Sequence, residues 1–191
     1  QEIREGDDAH FQDLYHFMAT HDLSEAANYQ YVADRIDVNE YLNYVVANIY
    51  IANYDWPGNN VKIWRPRTPD GKWRWMMFDL DLAANGHGTA RPWSNTLAIV
   101  TDGNSTTWPN KQETTLILRK MLENETFRHE YMQRTATFGE LIYEPTRVNR
   151  IITAHQEAIM PQLTAQIGRW PESASGSVAN WQNKVQAIKD F

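Results

Sequence analysis

Apolar residues recur every three or four positions along most of this chain, and one stretch breaks the rhythm. After Asp7-Asp8, the residues Phe11, Leu14, Tyr15 and Met18 fall on one helical face. Ser24-Glu25 opens a short second helix that runs through Tyr31 and Val32. Asp37-Val38-Asn39-Glu40 has the spacing of a capping box, with an acid at the cap and a glutamate three residues on. The helix behind it carries Tyr41, Leu42, Val45, Val46 and Ile49, a broad apolar face that predicts burial, and it ends at Ile51-Ala52. The last third is helical again. Leu116, Leu118, Met121 and Leu122 form one segment, and Asn124 caps a second that buries Phe127, Tyr131 and Met132. A long helix follows from Arg147 to Ile167, with Ile151, Ile152, Ile159, Leu163 and Ile167 as its apolar positions and Pro161 as a kink point. A polar linker, Pro171 to Ser177, leads to a final helix from Ser177 to Phe191 carrying Val178, Trp181, Val185 and Ile188. Core packing accounts for these positions, and no chemistry is assigned to them.

The exception is Asn53 to Asp81. Two aromatic-rich, strand-like segments, Val61–Pro66 and Lys72–Phe78, flank Thr68-Pro69-Asp70-Gly71. Proline presets one dihedral of such a turn and glycine allows positive φ, so a hairpin is predicted. A hairpin returns the chain to where it left, placing Asn60 and Asp79 roughly 5 Å apart at the backbone. Asp55, Asn60, Asp79 and Asp81 then gather at its open end, beside the helix ending at Ile51-Ala52, which serves as a rigid post. Carboxylates next to an amide oxygen suit a hard divalent cation such as magnesium. Strand alternation puts Asp79 and Asp81 on one face. The run Trp75-Met76-Met77-Phe78 before them reads as buried, and carboxylates emerging from it are costly unless paired or metal-bound. The plain alternatives are a turn residue for Asp55, since Asp-x-Pro-Gly is turn chemistry, and an exposed strand end for Asp79-Leu80-Asp81.

The order of these residues adds to the cluster. A helix, then Asp-x-x-x-x-Asn, then a hairpin and an Asp is the order of the protein-kinase catalytic loop and its metal-binding Asp. Asp55 and Asn60 have that spacing, but Asn53 and Tyr54 stand where His and Arg usually precede, and Asp79 is followed by Leu80-Asp81 rather than Phe-Gly. Asn-Tyr-Asp-Trp-x-x-Asn-Asn, a strand pair closed by Asp-Gly-Lys-Trp, and Phe-Asp-Leu-Asp-Leu resemble the spore coat protein H (CotH) kinase family. The resemblance is specific from Ile36 to Gly88 and diffuse through the helical remainder. It implies an atypical protein kinase that moves a phosphoryl group from ATP to Ser/Thr hydroxyls of proteins, with Mg2+ or Mn2+, on a secreted, spore or cell-surface protein. Carried over by motif, Asp55 orients or deprotonates the acceptor hydroxyl, Asn59 or Asn60 faces the cofactor, and Asn60, Asp79 and Asp81 are the metal ligands. The expected fold is mainly α with a small β-hairpin (α+β), like the helical C-lobe of a kinase-like domain. The chain has no Gly-rich phosphate loop and no Lys in a Val-Ala-Ile-Lys context. It therefore reads as a single C-terminal lobe spanning 1–191, with the ATP-clasping N-terminal lobe absent from it and the fragment inactive alone.

Composition narrows the classes. With 191 residues the chain is long enough for one sizeable core. A net charge of -6 argues against a nucleic-acid partner. There is no cysteine, hence no disulfide or thiolate metal site, and no apolar run is long enough to span a bilayer. His10, His16 and His21 are spaced off a common helical face and read as solvated or capping residues. Asn85-Gly86-His87-Gly88 reads as a flexible loop, with His87 incidental to it. Residues 89–112, with Arg91-Pro92-Trp93-Ser94-Asn95, Asp102-Gly103-Asn104-Ser105 and Trp108-Pro109-Asn110, read as a long loop on the acceptor side or a surface excursion. Two rival functions follow from the same residues. Asp79-Leu80-Asp81 also resembles the Asp-x-Asp motif of metal-dependent glycosyltransferases, although mainly helices precede it. The eight Trp and nine Tyr could equally serve a non-catalytic adhesion or binding module.

Overall fold

The computed structural model describes residues 2–84, 95–106, 108–172 and 176–191. Three helices come first: α1 (Ala9–Thr20), α2 (Ala26–Ala33) and α3 (Val38–Tyr50). The hairpin β1 (Lys62–Trp64) and β2 (Arg74–Met76) follows, then α4 (Thr96–Thr101), α5 (Gln112–Met121) and α6 (Glu125–Thr137). A π-helical turn, Phe138–Ile142, leads into α7 (Pro145–Arg169) and α8 (Val178–Lys189). Among the described residues the fold is mainly α with one small antiparallel sheet, as the periodicity predicts. The expected loop at 89–112 is broken by α4, capped by Asn95, whose side chain accepts from the Ala98 amide. The residues Asn85-Gly86-His87-Gly88 and Arg91-Pro92-Trp93-Ser94, together with part of the 171–177 linker, lie outside the described residues.

The core forms around α3, whose Tyr41, Leu42, Tyr44, Val45, Val46 and Ala47 are all buried. Phe127 of α6 and Trp75 of β2 close on Tyr41, with ring centroids 6.4 and 4.4 Å away. Leu14 and Met18 of α1, Val100 of α4, and Leu118 and Met121 of α5 complete it. The α1–α2 connection is tied to the α5–α6 connection by two polar contacts. Glu123 accepts from the Leu23 amide at 2.9 Å, and the Asn124 amide donates to the Leu23 carbonyl at 3.2 Å. Asn124 also caps α6 through the Phe127 amide.

The C-terminal helices pack differently from their apolar pattern. α7 runs through Pro161 and packs along α8, where Lys189 donates to Gln156 at 2.9 Å. Leu163 is buried, but Ile151 and Ile159 are exposed, and no residue of α8 is fully buried. Among the described residues α7 packs chiefly on α8, and a pair of helices encloses only the seam between them. Met132, expected in the core, is 61% exposed, because α6 turns only Phe127 and Tyr131 toward α3.

The hairpin lies along α3. Its register pairs Lys62 with Met76, Ile63 with Trp75 and Trp64 with Arg74. Trp75 faces α3 and is buried, whereas Met76 and Met77 are 48% and 38% exposed. The expectation that Trp75–Phe78 is a buried run is therefore corrected: among the described residues no second layer covers the outer face. The turn forms as expected, with the Gly71 amide donating to the Thr68 carbonyl at 3.1 Å. Gly71 is needed for close approach rather than for positive φ. A Cβ there would stand 2.1 Å from the Pro66 carbonyl oxygen.

Candidate active site

The site is built at the far end of α3 from its cap. Asp37 caps α3 by accepting from the Glu40 amide at 3.2 Å. Glu40 does not complete the box; its carboxylate instead accepts from the Trp75 amide of β2 at 3.0 Å. Burial, the main cause, pushes the Glu40 carboxyl above its ordinary value. Asp37 also pairs with Arg74 at 2.8 Å, and its amide donates to the Trp73 carbonyl at 3.0 Å. The start of β2 is thus fastened to the start of α3. From there the extended run to Asp79 and the helix to Ile51 each cover roughly 20 Å. The matched lengths bring Asp79 beside the loop that leaves α3.

That loop is held by a relay of buried amides. Asn48, in the last turn of α3, donates to the Tyr44 carbonyl at 2.9 Å. Asn53 donates to the Asn48 side-chain oxygen at 2.8 Å, and its own oxygen accepts from the Asp55 amide at 3.3 Å. Both asparagines are 2% exposed, so each bond replaces one that water cannot supply. The Asn59 amide closes the loop by donating to the Asp55 carbonyl at 2.7 Å, and Trp56 packs edge-on against Tyr44 with centroids 6.0 Å apart. The segment after Asp79 is fastened to the same loop. The Ala84 amide donates to the Ile51 carbonyl at 2.7 Å, and the Tyr54 amide to the Leu82 carbonyl at 3.3 Å.

Asn60 joins the two halves. Its side-chain nitrogen donates to Asp55 Oδ2 at 3.3 Å and to the Asp79 carbonyl oxygen at 3.4 Å. Asn60 and Asp79 both have left-handed backbone, with φ of 54° and 57°. Asparagine and aspartate tolerate that region better than other residues with a side chain. Of the sequence candidates, the fold brings Asp55, Asn60 and Asp79 together. Asn59 is exposed and reaches them only through its backbone N–H, which donates to the Asp55 carbonyl; among the described hydrogen bonds none joins its side chain to them. Asp81 is exposed in the following turn, and among the described residues no hydrogen bond ties it to the other three. The strand alternation that put Asp79 and Asp81 on one face is corrected: β2 ends at Met76, and the left-handed φ of Asp79 takes the chain out of extended geometry.

Among the described residues no three His, Cys, Asp or Glu side chains are grouped closely enough to hold a metal. The Asp55 carboxylate, the Asn60 amide oxygen and the Asp79 main-chain carbonyl give a smaller set of oxygen donors. That fits magnesium, which keeps several waters and takes further ligands from phosphates. With the Asn60 nitrogen engaged, its Oδ1 is the atom left for a cation. Lys62 places its ammonium 4.0 Å from the ring centroid of Phe78, the neighbour of Asp79. His10, from α1, is away from this site and accepts a hydrogen bond from the Trp73 indole at 3.0 Å.

The CotH kinase protein family matches residues 1–191. The chain belongs to the CotH kinase family. No curated protein and no solved structure gave a match. Membership in this family makes a kinase-type transferase the class of activity, with ATP, a divalent metal and a protein substrate in general terms. No helix among the described residues is long and apolar enough to cross a membrane. Of the anchoring residues, the sequence marks Asn53 only as a motif position and Glu40 only as a capping residue, and it does not single out Asn48. The signal for Asn48 was present: a lone amide within an otherwise apolar helix face.

Proposed function

We propose that this CotH-family chain carries the metal-facing and acceptor-facing side of a magnesium- or manganese-dependent protein kinase, which transfers the terminal phosphoryl group of ATP to Ser/Thr hydroxyls. The observation that carries the reading is the Asn60 side chain bridging Asp55 and Asp79 at the mouth of the hairpin. In this reading Asp55 accepts a hydrogen bond from the acceptor hydroxyl and takes its proton as the new O–P bond forms. ADP departs with the electrons of the broken P–O bond. Asp79 and the Asn60 oxygen would hold the metal, with Asp81 joining only if its turn moves inward. A bound divalent ion supplies charge neutralisation on the phosphates. The relay from Asn48 through Asn53 holds Asp55 in place, so the chain's contribution is mainly positioning. Residues that clasp the nucleotide from its other side are proposed to belong to an N-terminal lobe outside this chain. A secreted, spore-surface or cell-surface setting is proposed from the family resemblance.

Asp79→Asn in the intact protein tests the reading. Asparagine tolerates the left-handed φ of 57° at this position, so the fold should survive the loss of charge. Transfer of labelled phosphate from ATP to a serine-rich acceptor should fall at least about 100-fold, as for loss of a charge-stabilising group. Full activity with unchanged metal dependence would reject Asp79 as the ligand. Retention of UDP-sugar or glycan binding, with no ATP turnover by the parent protein, would favour a glycosyltransferase or a binding module instead.

A further inference from the structure

The peptide unit between Tyr54 and Asp55 is held at both of its polar ends by side chains. Its N–H, on Asp55, donates to the buried Asn53 amide oxygen at 3.3 Å. Its C=O, on Tyr54, accepts from the Trp108 indole N–H at 2.9 Å. A peptide unit is planar and stiff, so fixing both ends fixes the direction in which the chain enters Asp55. One clamp comes from Asn53 in the loop after α3, itself anchored to Asn48 of that helix, and the other from the segment before α5, 54 residues beyond Tyr54.

The Trp108 ring makes a second contact with the same loop. It lies against Gly58 so closely that a Cβ there would stand 2.8 and 2.9 Å from two ring carbons, and 2.9 Å from the Pro109 carbonyl. The ring also neighbours that of Tyr54, with centroids 6.5 Å apart. Trp108 itself stands on a fixed base. Asn110, two residues on, is 2% exposed. It donates to the Ile99 and Asp102 carbonyls at 2.6 and 2.9 Å and accepts from the Thr115 hydroxyl at 3.2 Å. The segment carrying Trp108 is thereby tied to α4 and α5.

We propose that Trp108 is a positioning residue for Asp55, acting through the Tyr54 carbonyl and the floor of the loop at Gly58. Its catalytic consequence rests on the phosphotransfer reading; its structural part does not. An indole N–H is a donor only, and phenylalanine keeps a ring over Gly58 while removing that donor. Trp108→Phe therefore separates the hydrogen bond from the packing, and Trp108→Ala removes both.

The experiment compares the intact protein with both variants in two ways. Amide hydrogen exchange is read at Asp55, Trp56 and Asn59, with core amides of α3 and α6 as the internal reference. Steady-state transfer from ATP to a serine-rich acceptor gives kcat and KM. In Trp108→Phe, exchange at the three loop amides should rise about tenfold against unchanged core amides, the scale of one hydrogen bond. In the same variant kcat should fall about tenfold while KM for ATP stays within about twofold, the pattern of a lost transition-state arrangement. Trp108→Ala should exceed it on both measures. Unchanged loop exchange in Trp108→Phe would overturn the proposal whatever the activity. So would unchanged kcat in an active protein, or a rise in KM alone, which would make Trp108 a substrate contact. A parent protein without ATP turnover would reject the phosphotransfer reading, and loop exchange would then decide the structural part by itself.

Discussion

The side-chain amide of Asn60 donates to the carboxylate of Asp55 at 3.3 Å, across the mouth of the hairpin. The same nitrogen reaches the Asp79 carbonyl at 3.4 Å, so one residue spans the loop after α3 and the segment after β2. Asn60 also has a left-handed backbone, with φ of 54°. Backbone and side-chain roles can be separated by substitution. Asn60→Gly accepts the φ and loses the amide; Asn60→Ala loses both. Asn60→Gly should unfold in urea within about 0.5 kcal/mol of the parent, while Asn60→Ala should lose about 1 kcal/mol or more. Phosphotransfer should be lost in both. Activity in Asn60→Gly would show that only the turn geometry matters here.

The buried amides of Asn48 and Asn53 should be costly to remove. Each is 2% exposed and hydrogen-bonded to the other at 2.8 Å. Asn53→Ala leaves the Asn48 oxygen without its partner, at a cost of about 1–3 kcal/mol. Because the two share one bond, Asn48→Ala and Asn53→Ala together should cost less than the sum of their separate effects. A double-mutant cycle by urea denaturation measures this, and strict additivity would show that the relay is not a unit.

Stability should also carry a histidine signature near neutral pH. The Trp73 indole donates to His10 Nδ1 at 3.0 Å, so that nitrogen must hold a lone pair and the ring must be neutral. Burial, then the charges of Arg65 and Arg35, lower the His10 pKa below 6.5, with Asp13 opposing them. The folded state therefore binds fewer protons than the unfolded state just below pH 6.5. Stability from this group is fully present above that value and is lost as pH falls toward the lower folded pKa. His10→Gln can accept the indole proton without titrating. Unfolding free energies between pH 8 and pH 5 should drop more for the parent than for this variant, over roughly the window that a histidine titrates. Parallel curves would remove His10 as the cause.

Local patterns carried much of this site. The cap at Asp37, the apolar face of α3 and the turn before Gly71 are each set by residues within a few positions, and all three form. The meeting of Asn60 with Asp79 followed from hairpin geometry alone. The misreadings are tertiary. Met76 is exposed because the outer face of the hairpin has no covering layer among the described residues, which no alternation pattern states. Glu40 left its capping box because the Trp75 amide, 35 residues away, offered a better-placed donor. Asp79 and Asp81 separated because a left-handed residue interrupts the strand. The clamp on the Tyr54 carbonyl comes from Trp108, whose position in the sequence gives no local hint of the contact.

Two glycine substitutions should move stability in opposite directions, and only one should reach the site. At Gly168, inside α7, an added Cβ meets nothing within 4 Å. Gly168→Ala should therefore gain up to about 1 kcal/mol from helix propensity and leave activity unchanged. At Gly71 the added Cβ would stand 2.1 Å from the Pro66 carbonyl oxygen, a backbone atom that cannot swing aside. Gly71→Ala must open the Thr68–Gly71 turn, and with it the pairing of Trp64 with Arg74 beside it. The loss should be about 2 kcal/mol or more, at the severe end for a backbone substitution. Asn60 precedes β1 and Asp79 follows β2 at the same open end of the hairpin, so a shift of register pulls the two apart. Phosphotransfer should therefore fall further than the folded fraction does, when both are measured at a temperature where the variant remains mostly folded. Activity that tracks the folded fraction would mean that the mouth of the hairpin keeps its geometry without the turn, held by the Ala84–Ile51 and Tyr54–Leu82 backbone bonds alone.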